Sequence, residues 1–566
     1  MSSSSKKKLR KEQAAASMTE KQRAAQKEEK KLKIYTASFW IVLALCICLV
    51  AGIALKAPVI GMVRKCTTAA TVNGEKISAV ELNYFYIDVI NNYCNQYSSY
   101  LSYFLDTSKP INEQFYDETN NITWDQEFLD MALESVKNNY ALYNAAKAAG
   151  HTLTEEEKAS SEELFEQLET AAESYGYGSS SGYLKALYGS GASLSSYKDY
   201  YEVTSMASSY YNFYTKQLSD SIDDAALREF ESDKMYEFNS YTYASHYMTV
   251  DSFKEGGTKD DKGNITYSDE EIKAAEAAVK AAAEALAVPE NNTLEALNAA
   301  LAAADKTATA DEATKDEAKK TTATENKDVL YSKVNSAVQE WIRDDARQPG
   351  DIAALPYSTT STVDGKEVET LKGYYVVLFQ EKEDNTYALK DVRHILVGYE
   401  GGTTDENGSK TYSDEEKKAA KEKAEAILKE WEGGEKTEDS FAALATEKTT
   451  DTPTKETGGL YEGIYPGQMV TEFNDWCFDE TRKEGDTGIV QTDYGYHVMY
   501  FSGDNETTYR DYMIKNALLE EKTTEWQEAL NNATTVEAVN TNHIDRDMVL
   551  GNGSSTTTDS HEGHDH

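Results

Sequence analysis

Two histidines sit inside short apolar stretches of this chain. Histidine is the side chain whose charge and hydrogen-bonding options change most readily near neutral pH. His394 lies in Asp391-Val392-Arg393-His394-Ile395-Leu396-Val397, and His497 in Thr492-Asp493-Tyr494-Gly495-Tyr496-His497-Val498-Met499-Tyr500; both read as β-strands. Between them Asp451 follows the apolar Phe441-Ala442-Ala443-Leu444-Ala445. A carboxylate near apolar residues has a perturbed pKa and can polarise a neighbouring bond. The bland readings stand beside these: a strand histidine is often a satisfied core residue, and Asp451, next to Pro453, also reads as a solvated loop acid. The five cysteines (Cys46, Cys48, Cys66, Cys94 and Cys477) show no CxxC or zinc spacing, so neither a disulfide framework nor a metal site is indicated. Cys477 reads as a small buried apolar residue.

The elements that must position these groups follow in order. A charged helix runs from Asp414 to Trp431, then come Phe441–Ala445, a Gly458-Gly459-Leu460 turn, and Gly467-Gln468-Met469 leading to Phe473. This succession, from Asp391 to Phe501, resembles the parvulin family of peptidyl-prolyl cis/trans isomerases. The resemblance implies that His394 and His497 pair on neighbouring central strands, and that Asp451 stands beside the substrate carbonyl. It implies a proline cup of Leu460, Met469 and Phe473, lined by Gln468, with Thr492 and Tyr494 near the site. Phe473 also reads as plain core. The stretch Tyr461 to Pro466 is one residue longer than the family's spacing, which touches substrate preference more than fold. No Arg/Lys cluster suited to phosphate lies near, which argues against phosphoserine-proline specificity. The chemistry fits such residues. Rotation about an X–Pro bond faces a barrier of about 18–20 kcal/mol because the twisted amide loses resonance. It breaks no bond and needs no cofactor or metal, only an apolar grip and a few polar groups that favour the rotated carbonyl.

An internal repeat widens this picture. Thr266-Tyr267-Ser268-Asp269-Glu270-Glu271 recurs letter for letter at Thr411 to Glu416; Gly256-Gly257-Thr258 parallels Gly401-Gly402-Thr403; Gly373-Tyr374-Tyr375-Val376-Val377 parallels Gly495-Tyr496-His497-Val498-Met499. Tyr243 to Val250 parallels the strand around His394, which sets His246 against His394. The first copy has Tyr375 in place of His497 and lacks the Gly-Gly-Leu and Gly-Gln-Met segments. Thr307 to Lys327 stands there instead and reads as low-complexity and flexible. The first copy therefore resembles a degenerate parvulin domain kept for binding or spacing.

Before the repeat, Ile34 to Leu55 is 22 residues without a charged side chain, long enough for a membrane-spanning helix. Residues 1–33 carry 11 Lys/Arg against 4 Asp/Glu, which places that tail in the cytoplasm and the body outside. Residues 1–65 are net +10 against −41 for the whole chain, so the rest carries −51. Such an acidic body excludes nucleic acid as a partner. Asn73-Gly74 reads as a hairpin turn and Ser78 as a helix N-cap, a phrase similar to the entry of SurA- and PrsA-type foldases. A Tyr-rich helical region follows to residue 238, with one helix ending at Gly150 and another starting at Thr154; its rings read first as core and second as an adaptable groove.

The expectation is a multidomain α+β protein. A basic cytoplasmic tail (1–33) and a transmembrane helix (34–55) precede a helical chaperone domain (68–238), completed by a C-terminal helical part (504–545). Two tandem parvulin-like domains, each an antiparallel sheet wrapped by helices, occupy 240–383 (degenerate) and 386–503 (isomerase). Residues 546–566, with His561, His564 and His566, read as a disordered tail. The function expected is that of a single-pass, extracytoplasmic prolyl isomerase and folding chaperone. Its partners would be unfolded secreted proteins with X–Pro bonds, and a homodimer is compatible with the reading. A non-catalytic holdase and a structural surface protein using parvulin-like modules as spacers are the alternatives.

Overall fold

The computed structural model describes residues 57–232, 234–260, 262–304, 321–363, 366–405, 408–546 and 550. The expected membrane segment 34–55, the basic tail before it and the end 551–566 lie outside the described residues. Among the described residues no helix is long and apolar enough to cross a membrane. The chain divides into two compact units, one formed by the residues up to Ser221 with those from Leu519 onward, the other by Ile222–Leu518.

In the first unit, strands Thr68–Val72 and Glu75–Ser78 pair antiparallel around Asn73 (φ 49°) and Gly74 (φ 84°). Both turn residues are left-handed, as the tightest hairpin turn requires. Ser78 caps helix Ala79–Gln96 by accepting from the Glu81 N–H. Helix Trp124–Ala149 stops at Gly150 (φ 68°), and Thr154 with Glu157 forms a capping box on helix Glu155–Ser174. Tyr84, Tyr86 and Tyr183 are among the largest fully buried side chains. The half-buried Asp88 carboxylate accepts from the hydroxyls of Tyr188 (2.9 Å) and Tyr200 (2.7 Å). Burial raises its pKa in spite of those two bonds. Many tyrosines are thus core, while Tyr97, Tyr100, Tyr103, Phe104, Phe115 and Tyr116 are exposed.

The distant C-terminal stretch completes this unit. Strand Val536–Ala538 pairs with Thr68–Val72 on the edge opposite the hairpin. Arg64 donates to Asp545 with two N–H groups (3.0 and 2.5 Å), and Arg546 Nε donates to Asp125 at 2.6 Å. Ile544 and Leu550 are buried in the same core as Tyr84 and Phe128. The packed structure therefore runs past residue 545: Arg546 and Leu550 are tied in by an ion pair and by apolar burial, where the sequence reading began a disordered tail.

The second unit holds two four-stranded antiparallel sheets. The strands are β1 (Ser240–Thr249), β2 (Thr324–Leu330), β3 (Ile352–Val363) and β4 (Lys366–Glu383), then β5 (Ala388–Gly398), β6 (Leu460–Ile464), β7 (Thr487–Thr492) and β8 (Gly495–Thr508). The first sheet has the order β2-β1-β4-β3 and the second β6-β5-β8-β7, the same wiring twice. Strand β2 corrects the reading of Thr307 to Lys327 as flexible throughout: residues 324–330 pair with β1, because the ladder satisfies their backbone groups. Residues 305–320 lie outside the described residues.

Helix α1 (Asp269–Leu286) covers one face of the first sheet through Ala283 and Leu286 on Ala244, Val376 and Leu378. Helix α3 (Asp414–Glu432) does the same in the second through Ala420 and Ala424 on Ile395, Tyr496 and Val498. Ser268/Glu271 and Ser413/Glu416 form matching capping boxes, and each Glu also accepts from a glycine N–H, Gly257 at 2.9 Å and Gly402 at 2.8 Å. On the opposite faces lie α2 (Ser336–Ile342), burying Val338 and Ile342, and α6 (Thr471–Cys477), burying Phe473 and Cys477. Arg347 stacks over Trp341 at 4.1 Å, and Arg482 over Trp476 at 3.9 Å.

Register decides which residues correspond. Gly373 pairs with Thr249 and Val377 with Ser245; Gly495 pairs with Gly398 and Met499 with His394. Ser245 thus takes the place of His394. His246 takes that of Ile395, on the face turned to the helix. The alignment of His246 with His394 was one residue off, and a one-residue slip moves a strand side chain to the other face. The turn Val250–Phe253 absorbs the difference, since no such turn lies between Gly398 and Gly401. Between the sheets the chain is held by Asn385, which bonds Ser240 Oγ and the Phe238 carbonyl. It is held also by the buried Arg510, which donates to Glu231, Asn239 Oδ1 (2.9 Å) and the carbonyls of Asp384 (2.9 Å) and Met235 (2.6 Å).

Candidate active site

His394 on β5 and His497 on β8 are 2% and 6% exposed, and their Nδ1 atoms meet at 3.1 Å. His394 Nε2 lies 3.2 Å from Asp451 Oδ2, and His497 Nε2 lies 2.9 Å from Thr492 Oγ1. An ionised carboxylate only accepts, so His394 donates from Nε2; in the neutral form of that ring, Nδ1 accepts from His497. His497 Nε2 then accepts from Thr492, whose Oγ1 accepts from the Tyr494 N–H at 3.2 Å. One directed hydrogen-bond chain thus runs from the Tyr494 amide to the Asp451 carboxylate. Burial, aided by His394, pushes His497 down to about 3, so it stays neutral at physiological pH. Burial alone would raise Asp451, but hydrogen bonds from His394 and Thr454 outweigh it and hold the carboxyl below its ordinary range.

Asp451 is placed by local chemistry. It N-caps α5 (Thr452–Lys455), with Pro453 in the first turn, and its Oδ2 accepts from Thr454 N (3.3 Å) and Thr454 Oγ1 (2.5 Å). The segment before it is pinned to β5, since Leu396 N donates to Thr449 Oγ1 at 3.1 Å and Thr450 N to the Leu396 carbonyl at 2.9 Å. Helix α4 (Glu438–Lys448) leads into this segment and anchors it with Phe441 and Ala445 in the core. Gly459 (φ 74°) passes so near β5 that a Cβ there would sit 2.1 Å from the His394 carbonyl, and its own carbonyl accepts from His394 N–H at 2.8 Å.

An apolar wall stands against the imidazoles. The Phe473 ring meets His394 and His497 edge-on at 5.6 and 5.3 Å, and Tyr461 tilts over His394 at 5.1 Å. Met469 packs on the same cluster. Phe473 is also core, buried with Val392, Met499 and Cys477. Leu460 is not brought to this face. Tyr461 points to the site, so its neighbour points away, and Arg393, the cross-strand partner of Leu460, reaches Glu438 on the far side. Gln468 folds back on its own loop and accepts from Tyr465 N–H at 3.1 Å. Tyr494 is 65% exposed and contributes its amide rather than its ring. Burial pushes the Cys477 thiol up to about 12, which suits a packing residue.

Two members of the site escaped sequence reasoning. Tyr461 occupies the wall where Leu460 was expected; strand alternation, counted from the glycine pair, carried the signal. Thr454 is buried against Asp451 and within 3.3 Å of His394 Nε2. Its signal was the capping pattern Asp-x-Pro-Thr. Among the described residues no group of His, Cys, Asp and Glu is disposed to hold a metal ion.

Residues 394–503 match the family model of the PPIC-type PPIase domain. The chain is 32% identical over 167 residues to the foldase protein PrsA of Staphylococcus epidermidis, covering 28% of this chain and 47% of that protein. It is 39% identical over 75 residues to foldase protein PrsA 1 of Listeria innocua, covering 13% and 26%. A crystal structure of PrsA from Bacillus subtilis aligns at 25% identity over 26% of this chain and 48% of that one, with a TM-score of 0.17. The chain spans about half, or less, of the length of these relatives.

Proposed function

Taking the second sheet and its helices as a PpiC-type domain of a parvulin-type, PrsA-like foldase, we propose that this protein is a peptidyl-prolyl cis/trans isomerase and folding chaperone. We propose further that residues 34–55 anchor it in a membrane with its body outside, and that its clients are unfolded secreted chains bearing X–Pro bonds. The first sheet, in this reading, is a degenerate copy of the same domain. The single observation that carries the catalytic reading is the directed hydrogen-bond chain ending on Asp451 beside the Tyr461–Phe473–Met469 wall.

The geometry suits the reaction. The wall grips the pyrrolidine ring and excludes water. In the planar amide, resonance puts negative charge on the carbonyl oxygen; in the twisted one that charge recedes. A fixed carboxylate beside that oxygen disfavours the planar form and so lowers the barrier by electrostatics, without proton transfer. The histidine pair donates toward Asp451, so that the carboxylate keeps its charge and its orientation.

The test is isomerisation of a short X–Pro peptide by the full chain, beside an Asp451→Ala version. Turnover that drops in the variant supports the reading; equal turnover in both, or none in the wild type, sinks it. A second reading, a holdase without turnover, is favoured by the exposed rings of Tyr97, Tyr100, Tyr103 and Tyr116 in the first unit. Suppression of aggregation that survives Asp451→Ala would show that the two roles are separable.

A further inference from the structure

We propose that the Tyr247–Tyr357–Tyr375 face of the first sheet is a second, non-catalytic binding site, and that it takes extended proline-bearing polypeptide. Tyr375 stands where the second sheet has His497, and Ser245 where it has His394, so this face is the counterpart of the catalytic one. The histidines have been exchanged for an aromatic cluster. Tyr247 and Tyr375, directly opposite across β1 and β4, are tilted at 4.7 Å, and Tyr357 on β3 meets both edge-on at 5.9 Å. Tyr247 is 38% exposed, and the other two are half-buried.

The cluster is seated by its backbone. A Cβ on Gly373 would lie 2.8 Å from the Tyr247 ring, so the absence of a side chain there lets that ring lie against β4. Asn335, the N-cap of α2, donates to the Tyr375 hydroxyl at 3.2 Å, and Asn326 donates to Ser245 Oγ at 3.3 Å. Tyrosine faces set at steep angles, with amide and hydroxyl groups between them, suit the polyproline II conformation. Its pyrrolidine rings pack on aromatic faces and its carbonyls, unpaired within the segment, look outward for donors. Neither His394 nor its carboxylate partner has a counterpart among the groups described on this face, so such a segment is held and not turned over.

The choice of proline rests on the isomerase reading: a client of the second sheet carries X–Pro bonds by definition. Two prolyl sites in one unit raise the effective concentration of a second X–Pro bond on a client already held by the first.

The experiment uses the full chain, a disordered peptide with two well-separated X–Pro bonds, and a tetrapeptide with one. In Tyr247→Ser/Tyr357→Ser, KM for the long peptide should rise about tenfold, with tetrapeptide turnover unchanged. Calorimetric stoichiometry for the long peptide's single-proline halves should fall from two sites to one. Tyr247→Lys, a single change at a partly exposed position, guards against misfolding of the double variant and should act in the same direction. An unchanged KM and stoichiometry in both variants overturn the proposal, as does equal binding of a proline-free peptide of matched length. If the wild type fails to turn over the tetrapeptide, the isomerase reading falls, and the stoichiometry alone decides this one.

Discussion

Where the second sheet carries His497, the first carries Tyr375; where it carries His394, the first carries Ser245; and Val338 on α2 stands for Phe473 on α6. Yet the capping boxes, the glycine N–H bonds, the Arg–Trp stacks and the strand order are the same in both. The parts that hold the scaffold up are shared, while the residues on the face of the His394–His497 pair differ. Scaffold and site are therefore separable layers here, and a change in the second need not disturb the first.

The largest effect that sharpens this contrast is on turnover. Asp451→Ala removes the charged acceptor of the buried His394 Nε2 and leaves it only Thr454 Oγ1 at 3.3 Å, at a cost of about 1–3 kcal/mol. Isomerase kcat/KM should fall by about 10–100-fold, whereas Tyr375→Ala should leave tetrapeptide kinetics unchanged. Acid is the next lever. His497 has an ordinary value of 6.5 and a folded value of about 3, so between these the unfolded chain binds a proton that the folded one does not. Stability of the second sheet should then fall as pH drops below about 6.5, by up to about 1.4 kcal/mol per pH unit, and be flat above it. Asp451 adds a further loss as pH falls through its own depressed value. Hydrogen exchange should show β5 and β8 opening before β1 and β4; simultaneous opening would break the contrast.

Thr454→Val should cost about 1 kcal/mol of support for Asp451, seen as a several-fold lower kcat/KM with the acid limb moved to higher pH. Thr454→Ser should restore both. Ser268→Ala and Ser413→Ala should each cost about 1 kcal/mol, equally in the two sheets, read as local exchange of α1 and α3. Smallest of all, Ser245→His/Tyr375→His should add no turnover to an Asp451→Ala background, since the first sheet gains imidazoles but neither a carboxylate nor a counterpart of Phe473.

Much of this was legible in the letters. The paired strands, Asp451 and the doubled Thr-Tyr-Ser-Asp-Glu-Glu phrase each bind a residue type to a local geometry, and local geometry survives in sequence. What was lost depended on counting across space. His246 and Leu460 both missed the working face by one residue, because alternation in a strand is set by its ladder partner and by inserted turns such as Val250–Phe253. Strand β2 hid in a polar composition because an edge strand buries little. Thr454 was overlooked because a threonine in a turn ordinarily bonds only to its own backbone.

Asn73 and Thr535 share a hydrogen bond across 462 residues, and Arg64 closes on Asp545. A ribosome releases the first partner long before the second. Until residues 536–546 have been made, the helices of the first unit therefore lack the strand and the ion pairs that complete their core. A premature stop near residue 530 would spare both four-stranded sheets and still leave the first unit without strand Val536–Ala538 and the Arg64–Asp545 pair. For that interval the first unit itself exposes apolar surface of the kind a chaperone holds.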